Sequence, residues 1–70
     1  MNIAELPLAP LKRILKNAGA ERVSDNAVEA LRDEVEDRAH GMAQKARDYA
    51  HHANRKTVQR EDVVAARREK

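Results

Sequence analysis

The sequence predicts an all-α chain of three helices, short, long and short. Two observations give the helices. Apolar residues return at steps of three and four through residues 8–18 and again through residues 28–53. Both prolines stand at positions 7 and 10, so the long second run is unbroken. A third observation bears on assembly: of the hydrophobic residues, 41% of the chain, 13 are Ala, and the 16 larger ones include Met1. Residues 1–70 make one small domain, and a chain of this size usually needs a disulfide, a metal or a partner chain. There is no Cys, which excludes disulfides and thiolate metal sites and gives no sign of a secreted compartment. What remains is a partner chain, and the composition points to an obligate oligomer.

The first helix covers about residues 8–18, with Leu8, Leu11, Ile14, Leu15 and Ala18 on one face. Pro7 and Pro10 lie before or within its first turn, where a missing N–H does no harm. Gly19 suits a left-handed C-terminal cap. Residues 19–24 form a loop ending in Ser24, whose hydroxyl can accept from an N–H two or three residues on. Val23 and Val28 occupy the two positions of a hydrophobic staple, and Asp25 and Glu29 suit the positive end of the helix that follows.

That second helix carries Val28, Leu31, Val35, Ala39, Met42, Ala43, Ala46, Tyr49, Ala50 and Ala53, and Asn54 can take the terminal left-handed conformation. Residues 25–53 would span about 43 Å at 1.5 Å per residue. A 70-residue globule is shorter than that, so most of the helix flank calls for another chain. Gly41, in mid-helix, costs about 1 kcal/mol relative to Ala; it is either a tolerated weakness or a close helix crossing. Arg55, Lys56 and Thr57 make the second break. The last helix runs from about 58 or 60 to 68, with Thr57 its formal N-cap candidate. Val63, Val64 and Ala66 give it an apolar side, and Arg67, Arg68 and Lys70 give it a basic end.

Charge is unevenly spread. The net charge of +2 divides into +2 over residues 1–23, −3 over 24–50 and +3 over 51–70. Basic ends around an acidic middle suggest a polyanion-binding surface built from both ends, with an ordinary solvated charge mixture as the alternative. Nine of the 14 cations are Arg, the better phosphate and minor-groove ligand. Tyr49 is the only aromatic residue, which speaks against stacking platforms for single-stranded nucleic acid.

Catalysis finds little support. Ser24 is the only serine and has a capping role, the two glycines are isolated, and the carboxylates alternate with Lys and Arg at helical spacing. His51 and His52 would point about 100° apart on a helix, and His40 is nearly three turns away. Neither a metal nor a cofactor is expected, nor is a small-molecule substrate. No apolar run reaches the length of a membrane span or a signal-peptide core, so the expected place is the cytoplasm, with no membrane partner.

The basic residues cluster around the two breaks. Arg22 precedes the Ser24 cap, while Arg55, Lys56 and Thr57 lie at the far end of the same long helix. An antiparallel pair of long helices would bring the first break of one chain beside the second break of the other. Arg22, Lys56 and Thr57 would then gather at each end, near helix N-termini whose free N–H groups bind phosphate. Arg13 and Lys16, three residues apart on the first helix, would extend that surface.

This arrangement, with the segments LPLAPLKRILKNAGAERVSD (residues 6–25) and HHANRKTVQREDV (residues 51–63), resembles the archaeal histone family. The likeness covers nearly the whole chain, and AGAERVSD joined to RKT and ED at this distance is highly specific. The resemblance implies the histone fold, a handshake homodimer, and double-stranded DNA bent around it on the chromosome without base-specific reading. It implies that Arg13 and Arg22 approach the minor groove, while Lys56 and Thr57 hold backbone phosphates beside the partner's Arg22. Arg55 and Asp62 match a pair that clamps the second loop to the third helix. Residues near 22–24 would pair in parallel with those near 56–58 of the second chain. The positions of Tyr49, His52 and Asp62 imply a contact between dimers that builds tetramers or filaments on DNA; the plainer reading of His52 is a solvated helix-end histidine.

The sequence departs from the family pattern in places. Glu34 and Arg38 stand where the family usually has apolar residues, Asn54 where Gly is frequent, and Tyr49 where Leu is common. The third helix also lacks a terminal aromatic residue. Two rival functions remain: a histone-fold interaction subunit of a transcription-related assembly, against which the presence of Arg22, Lys56 and Thr57 tells, and a binder of structured RNA.

Overall fold

The computed structural model describes residues 4–69. The basic helix end expected at Lys70 therefore lies partly outside the described residues, and Arg67 and Arg68 supply what is seen of it. The helices are α1 (Leu8–Asn17), α2 (Asp25–His52) and α3 (Arg60–Arg68), with no strand among the described residues. The order is the one the periodicity predicts.

α1 has no side-chain cap and no acidic residue in its first turn; its N-cap, Pro7, is extended and has no N–H to donate. The chain's entry is held from elsewhere. Glu36 Oε2 accepts the backbone N–H of Glu5 at 2.9 Å and that of Leu6 at 2.8 Å. At the other end Gly19 takes φ 111°, a region that side chains rarely adopt. Its N–H donates to the Lys16 carbonyl (3.0 Å), and that of Ala20 donates to the Leu15 carbonyl (3.2 Å). This pair of bonds is a Schellman closure, and it satisfies carbonyls that the end of the helix would otherwise orphan.

Ser24 caps α2 as its sequence context suggests: Oγ accepts the Ala27 N–H at 3.1 Å, an arrangement typically stabilising by about 1 kcal/mol over Ala. α2 ends by the same device as α1. Asn54 sits at φ 59°, its N–H donates to the His51 carbonyl, and the Arg55 N–H donates to the Ala50 carbonyl, both at 2.9 Å.

The start of α3 corrects the sequence reading. Its N-cap is Gln59, two residues past Thr57. Asp62 Oδ2 accepts the Gln59 N–H at 2.8 Å, so the position of this carboxylate, rather than the threonine hydroxyl, sets where the helix begins.

The described residues fall into two compact units, one reaching to Asp37 and the other starting at Arg38, with α2 contributing to both. Leu11 and Val28 are buried in the first, and Ala46, Ala50, Ala66 and Asp62 in the second. Many positions of the apolar stripes stay uncovered. Leu6 and Ile14 are exposed in the first unit; Tyr49, Val58 and Val63 are exposed in the second. Ala39, Met42, Ala43 and Val63 line an apolar groove in that second unit. Among the described residues a side chain added at Gly41 would meet nothing within 4 Å, so the close crossing weighed for this residue is not made by them. Among the described residues no helix is long and apolar enough to cross a membrane.

Candidate functional site

The second loop is built around one carboxylate. Arg55, the residue after the left-handed Asn54, directs its guanidinium at Asp62, with Nη1 donating to Oδ2 at 2.8 Å and Nη2 to Oδ1 at 2.9 Å. The two parallel bonds form the bidentate fork that matches guanidinium to carboxylate. Nη1 also donates to the Thr57 carbonyl at 3.3 Å, and Asp62 Oδ2 takes the Gln59 N–H as well. Asp62, only 3% exposed, thus ties Arg55, Thr57 and Gln59 to the start of α3. The structure brings together the two residues expected to clamp this loop.

The Arg55 hydrogen bonds, followed by the Gln59 N–H, hold the Asp62 carboxyl down at about 2, below its ordinary 3.8. The same bonds to Asp62 push the Arg55 pKa above its ordinary value. A carboxyl whose folded pKa is depressed contributes stability above its unfolded pKa and loses it as pH falls through the folded value. Stability is therefore expected to fall between about pH 4 and pH 2 as Asp62 protonates. Asp62→Asn should be less stable at neutral pH and should lack that part of the acid transition. Chemical denaturation followed across this range checks it, and identical acid profiles for the two proteins would rule out the clamp as the cause.

Lys56 and Thr57 are exposed on the clamped loop, in the unit that starts at Arg38. Arg13 and Lys16 are exposed on α1, and Arg22 is exposed in the loop that follows it, all in the unit that reaches to Asp37. Several other cations are already paired. Arg32, Lys45, Arg47 and Arg55 each lie within ion-pair distance of a carboxylate, of Asp33, Glu69, Asp48 and Asp62 respectively. Among the described residues Arg13, Lys16, Arg22 and Lys56 have no such partner, and neither do Lys12, Arg60, Arg67 and Arg68, so their charge is available to an outside anion.

Tyr49 and His52 line a groove together with Lys45, Asp48 and Glu69. The Glu69 carboxylate near Tyr49 raises the phenol's pKa, chiefly by hydrogen bonding, with burial and the carboxylate's charge adding to it. Asp62, grouped with Tyr49 and His52 in the sequence reading, does not line this groove; its oxygens are engaged by Arg55 and Gln59. Among the described residues no cluster of three or more His, Cys, Asp or Glu could hold a metal ion.

Three residues with evident roles escape sequence reasoning. Glu36 and Glu69 act on groups 31 and 24 positions away, beyond any local pattern. Gln59 carried a usable signal, since an acidic residue stands three positions after it, but the nearer Thr57 masked it.

Comparison with known proteins adds a family. The family model described as histone-like transcription factor (CBF/NF-Y) and archaeal histone matches residues 4–66. The chain is similar to a subunit of the archaeal histone HAN1 of Thermococcus zilligii, 51% identical over 64 residues, covering 91% of this chain and 96% of the relative. It is also similar to probable archaeal histone 3 of Methanocaldococcus jannaschii, 53% identical over 66 residues, covering 94% and 98%.

Proposed function

The chain belongs to the family of histone-like transcription factors (CBF/NF-Y) and archaeal histones, and on that premise we propose that it packages double-stranded DNA as a handshake homodimer. The observation that carries this reading is the sorting of cations. Arg13, Lys16, Arg22 and Lys56, on α1 and at the two loops, are exposed with no carboxylate within ion-pair distance, while Arg32, Lys45 and Arg47 of α2 are held by carboxylates. Both relatives compared above are named as archaeal histones.

In this reading residues 1–70 act as one histone-fold domain that two chains complete together. The antiparallel pairing places Arg22 of each chain beside the other chain's second loop, where Lys56 and Thr57 hold phosphates on a backbone already fixed by Arg55 and Asp62. Arg13 and Arg22 approach the minor groove and Lys16 the flanking phosphates, so DNA is bent with little sequence preference. Dimers then meet through the face of Tyr49 and His52 to form tetramers or filaments. The protein works on the chromosome in the cytoplasm, without catalysis, cofactor or membrane.

Arg22→Ala tests the proposal. Binding to unrelated duplexes should weaken about equally, and the slope of log affinity against log salt should become shallower by about two, one unit per chain. Loss of affinity for one particular sequence alone would indicate direct base reading instead. A stable dimer that leaves DNA mobility unchanged would favour an interaction subunit of a transcription assembly, the other branch of the family's description.

A further inference from the structure

A carboxylate at the entry of the basic helix α1 should, by charge alone, weaken the hold of that helix on a polyanion. Glu36 nevertheless stands there. Its Oε2 accepts two successive backbone N–H groups, that of Glu5 at 2.9 Å and that of Leu6 at 2.8 Å, all within the unit that reaches to Asp37. Among the described residues no basic side chain lies within ion-pair distance of Glu36. Half-buried on α2, this carboxylate is spent on the approach to α1.

α1 needs such a fastening. It is 10 residues long, a length at which a helix is marginal by itself. Its N-cap, Pro7, gives no side-chain bond, its first turn holds no acidic residue, and of its described residues only Leu11 is buried. Pro10 has no N–H to donate, so few bonds hold the opening turn. By helix geometry the N–H groups of Lys12 and Arg13 close that turn on the carbonyls of Leu8 and Ala9. If the entry frays, this turn opens first, and Arg13 loses its fixed backbone.

We propose that Glu36 is a positioning residue for DNA binding: by holding the N–H groups of Glu5 and Leu6 it keeps the first turn of α1 closed, and so keeps Arg13 aimed at the duplex. Glu36 touches no DNA and acts through Arg13. This rests on the reading of Arg13 as a DNA contact, and the test separates the two ideas. Affinity for one duplex at fixed salt is measured for wild type, Glu36→Gln, Glu36→Ala, Arg13→Ala and the double variant Glu36→Ala with Arg13→Ala. Glu36→Gln keeps an oxygen acceptor and sheds the charge, and should bind as tightly as wild type or slightly tighter. Glu36→Ala sheds the same charge and should bind roughly fivefold more weakly, the scale of a lost helix cap. The double variant should stay within about twofold of Arg13→Ala alone, as for two residues acting through one contact. Hydrogen exchange at the Glu5 and Leu6 amides should accelerate in Glu36→Ala, while the amides of Ala46 and Ala50 in the other unit keep their protection.

Equal tightening by Glu36→Gln and Glu36→Ala would mean that Glu36 acts as a charge alone, and the positioning role falls. A loss from Glu36→Ala that is as large without Arg13 as with it would mean general support of the fold, and the role falls again. In both cases a weaker Arg13→Ala leaves the DNA contact standing. If Arg13→Ala binds as wild type does, that contact falls and the positioning role falls with it.

Discussion

Raising salt from 50 to 200 mM should weaken binding to duplex DNA by roughly three to four orders of magnitude, if a dimer neutralises about six to eight phosphates. Of the unpaired cations, each chain offers Arg13, Lys16, Arg22 and Lys56 on α1 and at the two loops, and two chains double that set. Cations already engaged by carboxylates should release few counterions, which keeps Arg32, Arg47 and Arg55 out of the sum. The resulting slope of log affinity against log salt is about −5 to −7. Titrations on one duplex at four or five salt concentrations would measure it. A slope shallower than about −2 would mean that affinity comes from elsewhere and would remove the basis of the packaging proposal.

The second large effect is expected on dilution. The buried apolar side chains among the described residues are Leu11, Val28, Ala46, Ala50 and Ala66. Three of the five are alanines, while Ile14, Val63 and the groove of Ala39, Met42 and Ala43 stay open to solvent. Burial this limited leaves little to offset the entropy of ordering the chain. If folding and pairing are one event, each tenfold dilution lowers apparent stability by about 1.4 kcal/mol. For a dimer of this size that lowers the midpoint of heat unfolding by about 5 °C. Circular dichroism melts over a hundredfold range of concentration should show the trend. A midpoint that stays put would establish a chain folded on its own, and the composite surface of Arg22 and a second chain's Lys56 would lose its support.

Local chemistry made much of the fold legible in the sequence. Gly19, Ser24 and Asn54 act within four residues of themselves, through a left-handed turn or a cap, so their types announced where helices end and begin. Thr57 misled because the start of α3 is decided by Asp62, and Asp62 is itself held by Arg55 from seven residues back. Glu36 anchors the approach to α1 from 31 and 30 residues away, a contact no spacing rule encodes. The candidate site was legible in its parts, since Arg22, Lys56 and Thr57 flank the breaks. Which cations are already neutralised was not, because Arg47–Asp48 and Arg32–Asp33 are neighbour pairs whose geometry depends on rotamers. Apolar periodicity marked Ala39 and Ala43, but it records a face that wants covering without saying what covers it.

The seven residues 18–24 and the seven residues 53–59 each carry, in second place, a left-handed residue inside a paired carbonyl closure. Arg22 follows Gly19 by three positions, and Lys56 follows Asn54 by two. Freezing one residue's backbone costs roughly 1–2 kcal/mol, and around these turns that ordering belongs to the folding step. Capturing an anion then leaves chiefly side-chain rotamers to immobilise. On the proposed DNA-binding role, loops pre-organised in this way favour fast, nearly rigid engagement over a loop that first has to find its shape.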